Sequence, residues 1–256
     1  MILAIDIGNS NIVLGCINNE DISFVARIST DISKTEDQYA IEIIDILQLY
    51  HTQINQIDGS IISSVVPILS GNISSAVLKI TGKKPLIVEP GIKTGLNIKI
   101  DDPAQLGADM VVTAVAAIAE KKLPSIIIDM GTATTISAIS KDGAFLGGAI
   151  LPGVIISLEA LSKKAALLTG ISLEEPKSGV IGTNTIDCMA SGIVYGNAGM
   201  IDGIVDRMKA TFDTEPYIVA TGGLAKFIIP HCKNDIEYDG NLMLKGLRII
   251  YNKNKI

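Results

Sequence analysis

The chain opens on a run of apolar, mostly β-branched positions, Ile2–Ile7, broken only by Asp6. Gly8-Asn9-Ser10-Asn11 interrupts the run and Ile12–Ile17 resumes it, so the pattern predicts a β-hairpin. A second turn at Asn18-Asn19-Glu20-Asp21 leads to a third strand, Ile22–Ile28. The spacing then becomes helical over Thr35–Tyr50, with apolar residues at Tyr39, Ile43, Ile46, Leu47 and Tyr50. Gly59–Val66 reads as a buried strand stopped by Pro67, Leu69–Ile80 as a helix and Pro85–Val88 as a strand. Asp102-Pro103-Ala104-Gln105 carries helix-start signals: a capping Asp, Pro in the first turn, and Gln three residues after the cap. That helix is expected to run to about Lys122, where lysines suit the negative end of its dipole.

The pattern then repeats. Ile5-Asp6-Ile7-Gly8-Asn9-Ser10-Asn11-Ile12 aligns with Ile128-Asp129-Met130-Gly131-Thr132-Ala133-Thr134-Thr135. In both copies an apolar strand and a polar turn follow, Asn18-Asn19 in one and Lys141-Asp142-Gly143 in the other. Two copies about half a chain apart predict two similar α/β halves, 1–117 and 118–256, rather than a solenoid. The second half continues with helices around 158–168 and 185–211. A strand at Glu215–Ala220 then runs into Thr221-Gly222-Gly223-Leu224, and a final helix covers Leu242–Asn252.

Composition narrows the chemistry. Of 256 residues 48% are hydrophobic but only 4% aromatic, with no Trp, so the core rests on aliphatic side chains. A net charge of −6 argues against a general nucleic-acid binder, which needs a basic face. A nucleotide stays open as a ligand, because a few backbone N–H groups suffice for a polyphosphate. Three cysteines (Cys16, Cys188, Cys232) without a C-x-x-C pair, and two histidines, argue against a disulfide framework, a zinc site or a Ser/His/Asp triad. They fit a reducing cytoplasm. Cys188 is expected to be a buried small hydrophobe, and Tyr195 and Met200 to pack in the core. No apolar run is long enough to span a membrane, and the N-terminal segment lacks the basic region of a signal peptide.

Each polar motif has an ordinary reading as a turn or a cap. An Asp at the end of a buried strand nevertheless needs a partner, and Mg²⁺-bound phosphate is one. In the first hairpin Gly8 admits a phosphate to the backbone, while Asn9, Ser10 and Asn11 add donors. The second hairpin, rich in hydroxyls, would clamp the same phosphates from the other side of a cleft. The Gly222-Gly223 pair would leave room for adenine or ribose. There is no Walker loop and no G-x-G-x-x-G, which disfavours P-loop kinases and Rossmann dehydrogenases. Gly107-Ala108-Asp109 sits where Gly and Asp are poor helix formers. Asp109 as a base for an attacking hydroxyl would explain the choice; a solvated Asp at a frayed helix start is the alternative.

Taken in order, these motifs resemble those of the type III pantothenate kinases. The resemblance rests on Asp6-Ile7-Gly8-Asn9-Ser10-Asn11, Lys93-Thr94-Gly95-Leu96, Asp102-Pro103 with Gly107-Ala108-Asp109, and Asp129 to Thr135. It continues through Gly147 to Gly153, Asn184-Thr185 with Ser191-Gly192, and Thr221 to Ala225. It implies a duplicated ribonuclease H-like fold of the actin/Hsp70/sugar-kinase (ASKHA) type, α/β, in two similar halves with a cleft. It also implies a cytoplasmic homodimer that phosphorylates pantothenate with ATP and Mg²⁺, towards coenzyme A. By the same resemblance Asp6 to Val13 form the first phosphate loop, Thr132 contacts ATP and Asp109 is the base. Gly107, Ala108 and Asn184 contact the substrate, and Asp129 ligates a monovalent cation, K⁺ or NH₄⁺. Two positions depart from the family pattern: Met110 stands where Arg is usual and Ile100 where Tyr is usual. A kinase of the same fold for another hydroxyl substrate, or an ATP-binding accessory protein without turnover, therefore stand as alternatives.

Overall fold

The computed structural model describes residues 1–120, 122–164, 176–177 and 179–255. The chain forms two compact units: Met1–Leu96 with Asp102–Ala119 and Asn241–Ile256, and Asn97–Asp101 with Glu120–Gly240.

Unit 1 begins with β1 (Ile2–Ile7), β2 (Asn11–Asn18) and β3 (Asp21–Ser29), an antiparallel meander. Helix α1 (Glu36–Leu49) follows, started by a full capping box between Thr35 and Gln38. Next come β4 (Gly59–Ser64), α2 (Pro67–Thr81) and β5 (Leu86–Ile87). The sheet order is β3-β2-β1-β4-β5, with β4 and β5 parallel to β1. Leu3, Ile5 and Ile7 of β1 face α1 and α2, packing with Tyr39, Ile43 and Ile73. The alternate residues Ile2, Ala4 and Asp6 face the other way.

In unit 2, β6 (Asn97–Ile98) lies on the edge next to β9. Helix α3 (Ala108–Ala119) belongs to unit 1. Unit 2 then runs β7 (Ser125–Met130), β8 (Ala133–Ile139), β9 (Ala144–Pro152), α4 (Val154–Lys164) and α5 (Thr185–Lys209). It closes with β10 (Tyr217–Thr221), α6 (Ala225–Ile228) and β11 (Glu237–Tyr238). Its order, β11-β10-β7-β8-β9-β6, read backwards from β9 to β11, repeats that of unit 1 strand for strand.

The register refines the repeat. Asp6 pairs with Val13, and Asp129 pairs with Thr135. The second turn is therefore one residue shorter, and Thr135 matches Val13 rather than Ile12. The closing bonds agree: Gly8 N–H donates to Asn11 O (3.0 Å), and Gly131 N–H donates to Ala133 O (3.1 Å).

Several elements differ from expectation. The helix expected over 102–122 is broken. Asp102 caps a short 3₁₀ turn, Pro103–Gln105, and Leu106 is extended (ψ 124°), so the helix restarts at Ala108. Gln105 spends its amide on the Asp102 carboxylate (2.9 Å) instead of reaching back to the cap N–H. The helix stops at Ala119, and Lys122 pairs with Glu237 (3.0 Å). The helix expected at 158–168 starts at Val154, and its portion beyond Lys164 lies outside the described residues. The final helix, α7 (Leu242–Asn254), packs on α3, β1 and β4, so the C-terminal segment belongs to unit 1. Cys188 is exposed on α5, and Tyr195 and Met200 are half-buried.

Candidate functional site

Unit 1 gathers the first set of site residues. Asp6 is half-buried at the end of β1, beside Val13 of β2 and Ser63 of β4. It lies on the face covered by α7, because Ala4, two residues earlier, pairs with Gly15, which touches Leu244. Asn9, Ser10 and Asn11 form an exposed turn beyond it. The turn is held by Thr30, whose hydroxyl donates to Gly8 O (2.6 Å) and whose N–H donates to Ser10 O (3.1 Å). Three polar residues on a pinned turn suit a polyanion. Thr30 escaped the sequence reading because its contact spans β3, and Ser63 because strand partners across a parallel crossover leave no mark in the local pattern. The Ser63 hydroxyl is fully buried and makes no hydrogen bond among the described residues.

Asp109 lies in the first turn of α3, where Asp is favoured rather than poor, which answers the propensity objection. Its Oδ1 accepts from the Met110 N–H (2.8 Å). Burial pushes its pKa up, outweighing that hydrogen bond, which pulls it down. Gly107 has a specific job beside it. A Cβ at Gly107 would stand 2.5 Å from the Asp109 Oδ1 and would push the carboxylate off its place over the helix start. If Asp109 is the base that the resemblance implies, Gly107→Ala should fold normally yet lose about 10²-fold in kcat, the cost of a misplacement near 1 Å. Circular dichroism with steady-state kinetics checks it. Ala108 lies between the two and Met110 follows them, both half-buried.

Unit 2 brings Asp129, Thr132, Gly222 and Gly223 to one end of its sheet. Asp129 is half-buried and stands between Thr135 of β8 and Thr221 of β10. Asp6 and Asp129 thus each have a hydroxyl residue, Ser63 or Thr221, at the matching place on the parallel neighbour strand. The role expected for Gly222 changes. Its φ is +95°, and a Cβ there would lie 2.5 Å from Met130 O, so the glycine is needed for packing on the backbone after Asp129. Gly223, by contrast, has open space where a Cβ would be. Asn184 is exposed at the N-cap of α5, where its Oδ1 accepts from Asp187 N–H (3.0 Å). Its amide nitrogen is left to donate outward. Ile100 is half-buried, with Cγ2 3.9 Å from the Cβ position of Gly147.

Among the described residues no helix is long and apolar enough to cross a membrane, and no three His, Cys, Asp or Glu side chains cluster as a metal cage.

Comparison with known proteins adds the family. A family model described as type III pantothenate kinase matches residues 2–207. A type III pantothenate kinase from Halalkalibacterium halodurans is 46% identical over 254 residues, covering 99% of this chain and 100% of that protein. Among solved structures, the activator of 2-hydroxyisocaproyl-CoA dehydratase from Clostridium difficile, with bound ADPNP, aligns with a TM-score of 0.60 at 14% identity. That alignment covers 98% of this chain and 93% of the activator. The ROK hexokinase from Thermus thermophilus aligns at 0.53 and 14%, covering 99% of each chain. At such identities these two speak for the fold, which is the duplicated ASKHA fold.

Proposed function

Since this chain belongs to the family of type III pantothenate kinases, we propose that it transfers the γ-phosphoryl group of ATP to the hydroxyl of pantothenate. The product is 4′-phosphopantothenate, and the step is the first towards coenzyme A. The observation that carries the reading is Asp109: a carboxylate with burial-raised basicity, aimed by Gly107, in a chain that matches its relative end to end.

Phosphoryl transfer asks a protein mainly for positioning and charge stabilisation. We assign the phosphates to Asp6, Gly8, Asn9, Ser10, Asn11 and Val13, with the Thr132 hydroxyl as a further contact, and the nucleoside end to Gly222 and Gly223. Gly222 acts there by shaping the turn. Asp109 accepts the proton of the acceptor hydroxyl as that oxygen bonds to phosphorus and ADP departs. Gly107, Ala108 and the free amide of Asn184 orient the acceptor.

Mg²⁺ favours sites with one or two carboxylates plus phosphate oxygens and retained water. Asp6, a single half-buried carboxylate beside a polar turn, fits that demand; the ion, when bound, neutralises phosphate charge. We assign a monovalent cation, K⁺ or NH₄⁺, to Asp129, whose neighbours across the sheet are two threonines. We assign a homodimer, whose contact would cover apolar residues that unit 2 exposes, among them Ile150 (72%) and Ile186 (64%). The reaction belongs in the cytoplasm, where its ATP is.

The test is ADP release with Mg·ATP, with and without pantothenate, in K⁺, NH₄⁺ or Na⁺. The expected result is turnover that requires pantothenate and rises with K⁺ or NH₄⁺, the rise being lost in Asp129→Asn. Pantothenate-independent hydrolysis, or ATP binding without turnover, would overturn it. The apolar Met110 and Ile100 favour one second reading, a less anionic hydroxyl acceptor; an uncharged pantothenate amide that outpaces pantothenate would select it.

A further inference from the structure

The assignment of Gly222 and Gly223 to the nucleotide leaves its base without a side-chain partner. Unit 2 carries an aromatic ring at that turn. Tyr238 ends β11, which runs parallel to β10 with Ala220 opposite Tyr238. The Asp239 N–H donates to Ala220 O (2.8 Å) and locks that register. The ring therefore leaves the sheet two positions before Gly222.

Its hydroxyl reaches the turn itself, 3.5 Å from Gly222 O, a long hydrogen bond. Gly240 leaves the phenol its place, since a Cβ there would stand 2.8 Å from the hydroxyl. The residue stays 43% exposed. A half-exposed aromatic whose backbone is held in the ladder offers its face to a ligand at reduced entropic cost. The neighbouring Gly223 backbone is open on the side where a Cβ would stand. The turn between them is fixed, packed against Met130.

We propose that Tyr238 is the base-contacting residue of the nucleotide site, stacking its ring on the adenine beside the Gly222-Gly223 turn. The proposal rests on the reading that ATP binds at this turn. Stacking on a phenol ring tolerates any base, since every base has a π-face. The site should accordingly discriminate weakly between ATP and GTP, yet depend strongly on having a base at all.

The chain contains no Trp, so Tyr238→Trp introduces a sole indole reporter. Its fluorescence should be quenched saturably by ADP and left unchanged by inorganic tripolyphosphate. Tyr238→Ala should raise the KM for ATP about thirtyfold, a mid-range loss for one base–aromatic stack, with kcat at saturation kept. Tyr238→Phe should restore the KM. Calorimetry of ADP binding to wild type and to Gly223→Val separates nucleotide binding at the turn from stacking on Tyr238. If Gly223→Val abolishes ADP binding while the indole of Tyr238→Trp is silent to ADP, the turn binds nucleotide and the Tyr238 proposal is overturned. If Gly223→Val binds ADP like wild type, the reading of the turn fails, and the proposal with it. An unchanged KM for ATP in Tyr238→Ala, or equal quenching by tripolyphosphate, also overturns the proposal.

Discussion

Asp109→Asn should lower kcat by about 10²–10⁴-fold, the usual contribution of a positioned general base, while making the protein more stable at neutral pH. The two effects share one cause. Burial holds the carboxyl of the folded protein above its ordinary range, because the ionised form is poorly solvated there. Above the folded-state pKa the charge costs the folded chain more than the unfolded one. Below the ordinary carboxylate value both states are protonated and the cost is gone. The stability gain of the Asn variant should thus be full near pH 7 and fade as the pH falls through the folded-state pKa towards the ordinary one. Thermal melts from pH 7 to pH 3 read this directly. The acid limb of the kcat/KM profile should also lie above the ordinary carboxylate range. An Asn variant less stable than wild type at pH 7 would mean that a partner holds the Asp109 charge.

Gly222→Ala should be strongly damaging to unit 2. The new Cβ would meet the carbonyl oxygen, carbon and nitrogen of Met130 at 2.5, 2.6 and 2.7 Å. These are backbone atoms of a central strand and cannot step aside. A φ of +95° adds strain of its own for any residue with a side chain. Backbone strain of about 1–3 kcal/mol and overpacking of about 1–3 kcal/mol together predict a drop in Tm on the order of 10 °C. Met130 joins Asp129 to the Gly131-Thr132 turn, so activity should fall even at temperatures where the variant is folded. Gly223→Ala, facing open space, is the control and should melt like wild type. Differential scanning calorimetry decides, and equal melting of wild type and Gly222→Ala would refute the packing role.

The doubled hairpin was legible because Asp6 and Asp129 each interrupt a β-branched run just before a Gly turn, a local signal. Its one-residue length difference was not, since only the ladder shows that Asp129 pairs with Thr135. The destination of α7 was hidden for a related reason. Amphipathic spacing reveals that a helix has a buried face, not which sheet receives it; Gly15 and Gly59, which admit Leu244 and Tyr251, make sense only once that packing is known. The break at Leu106 escaped because Asp102, Pro103 and Gln105 are true helix-start residues that here serve a 3₁₀ turn instead. β6 and β11, of two residues each, are too short to carry a period. For the site, residue identity pointed to the carboxylates and glycines, but the division of labour between Gly222 and Gly223 needed the backbone of Met130 in place.

The central claim is that this chain makes a phosphate ester of pantothenate and that Asp109 drives it. Mass spectrometry of the products from Mg·ATP, K⁺ and pantothenate tests it most directly. The account predicts one 4′-phosphopantothenate for each ADP from the wild type, and almost none from Asp109→Asn at the same enzyme concentration. ADP without phosphopantothenate, or full product from the Asn variant, would contradict it.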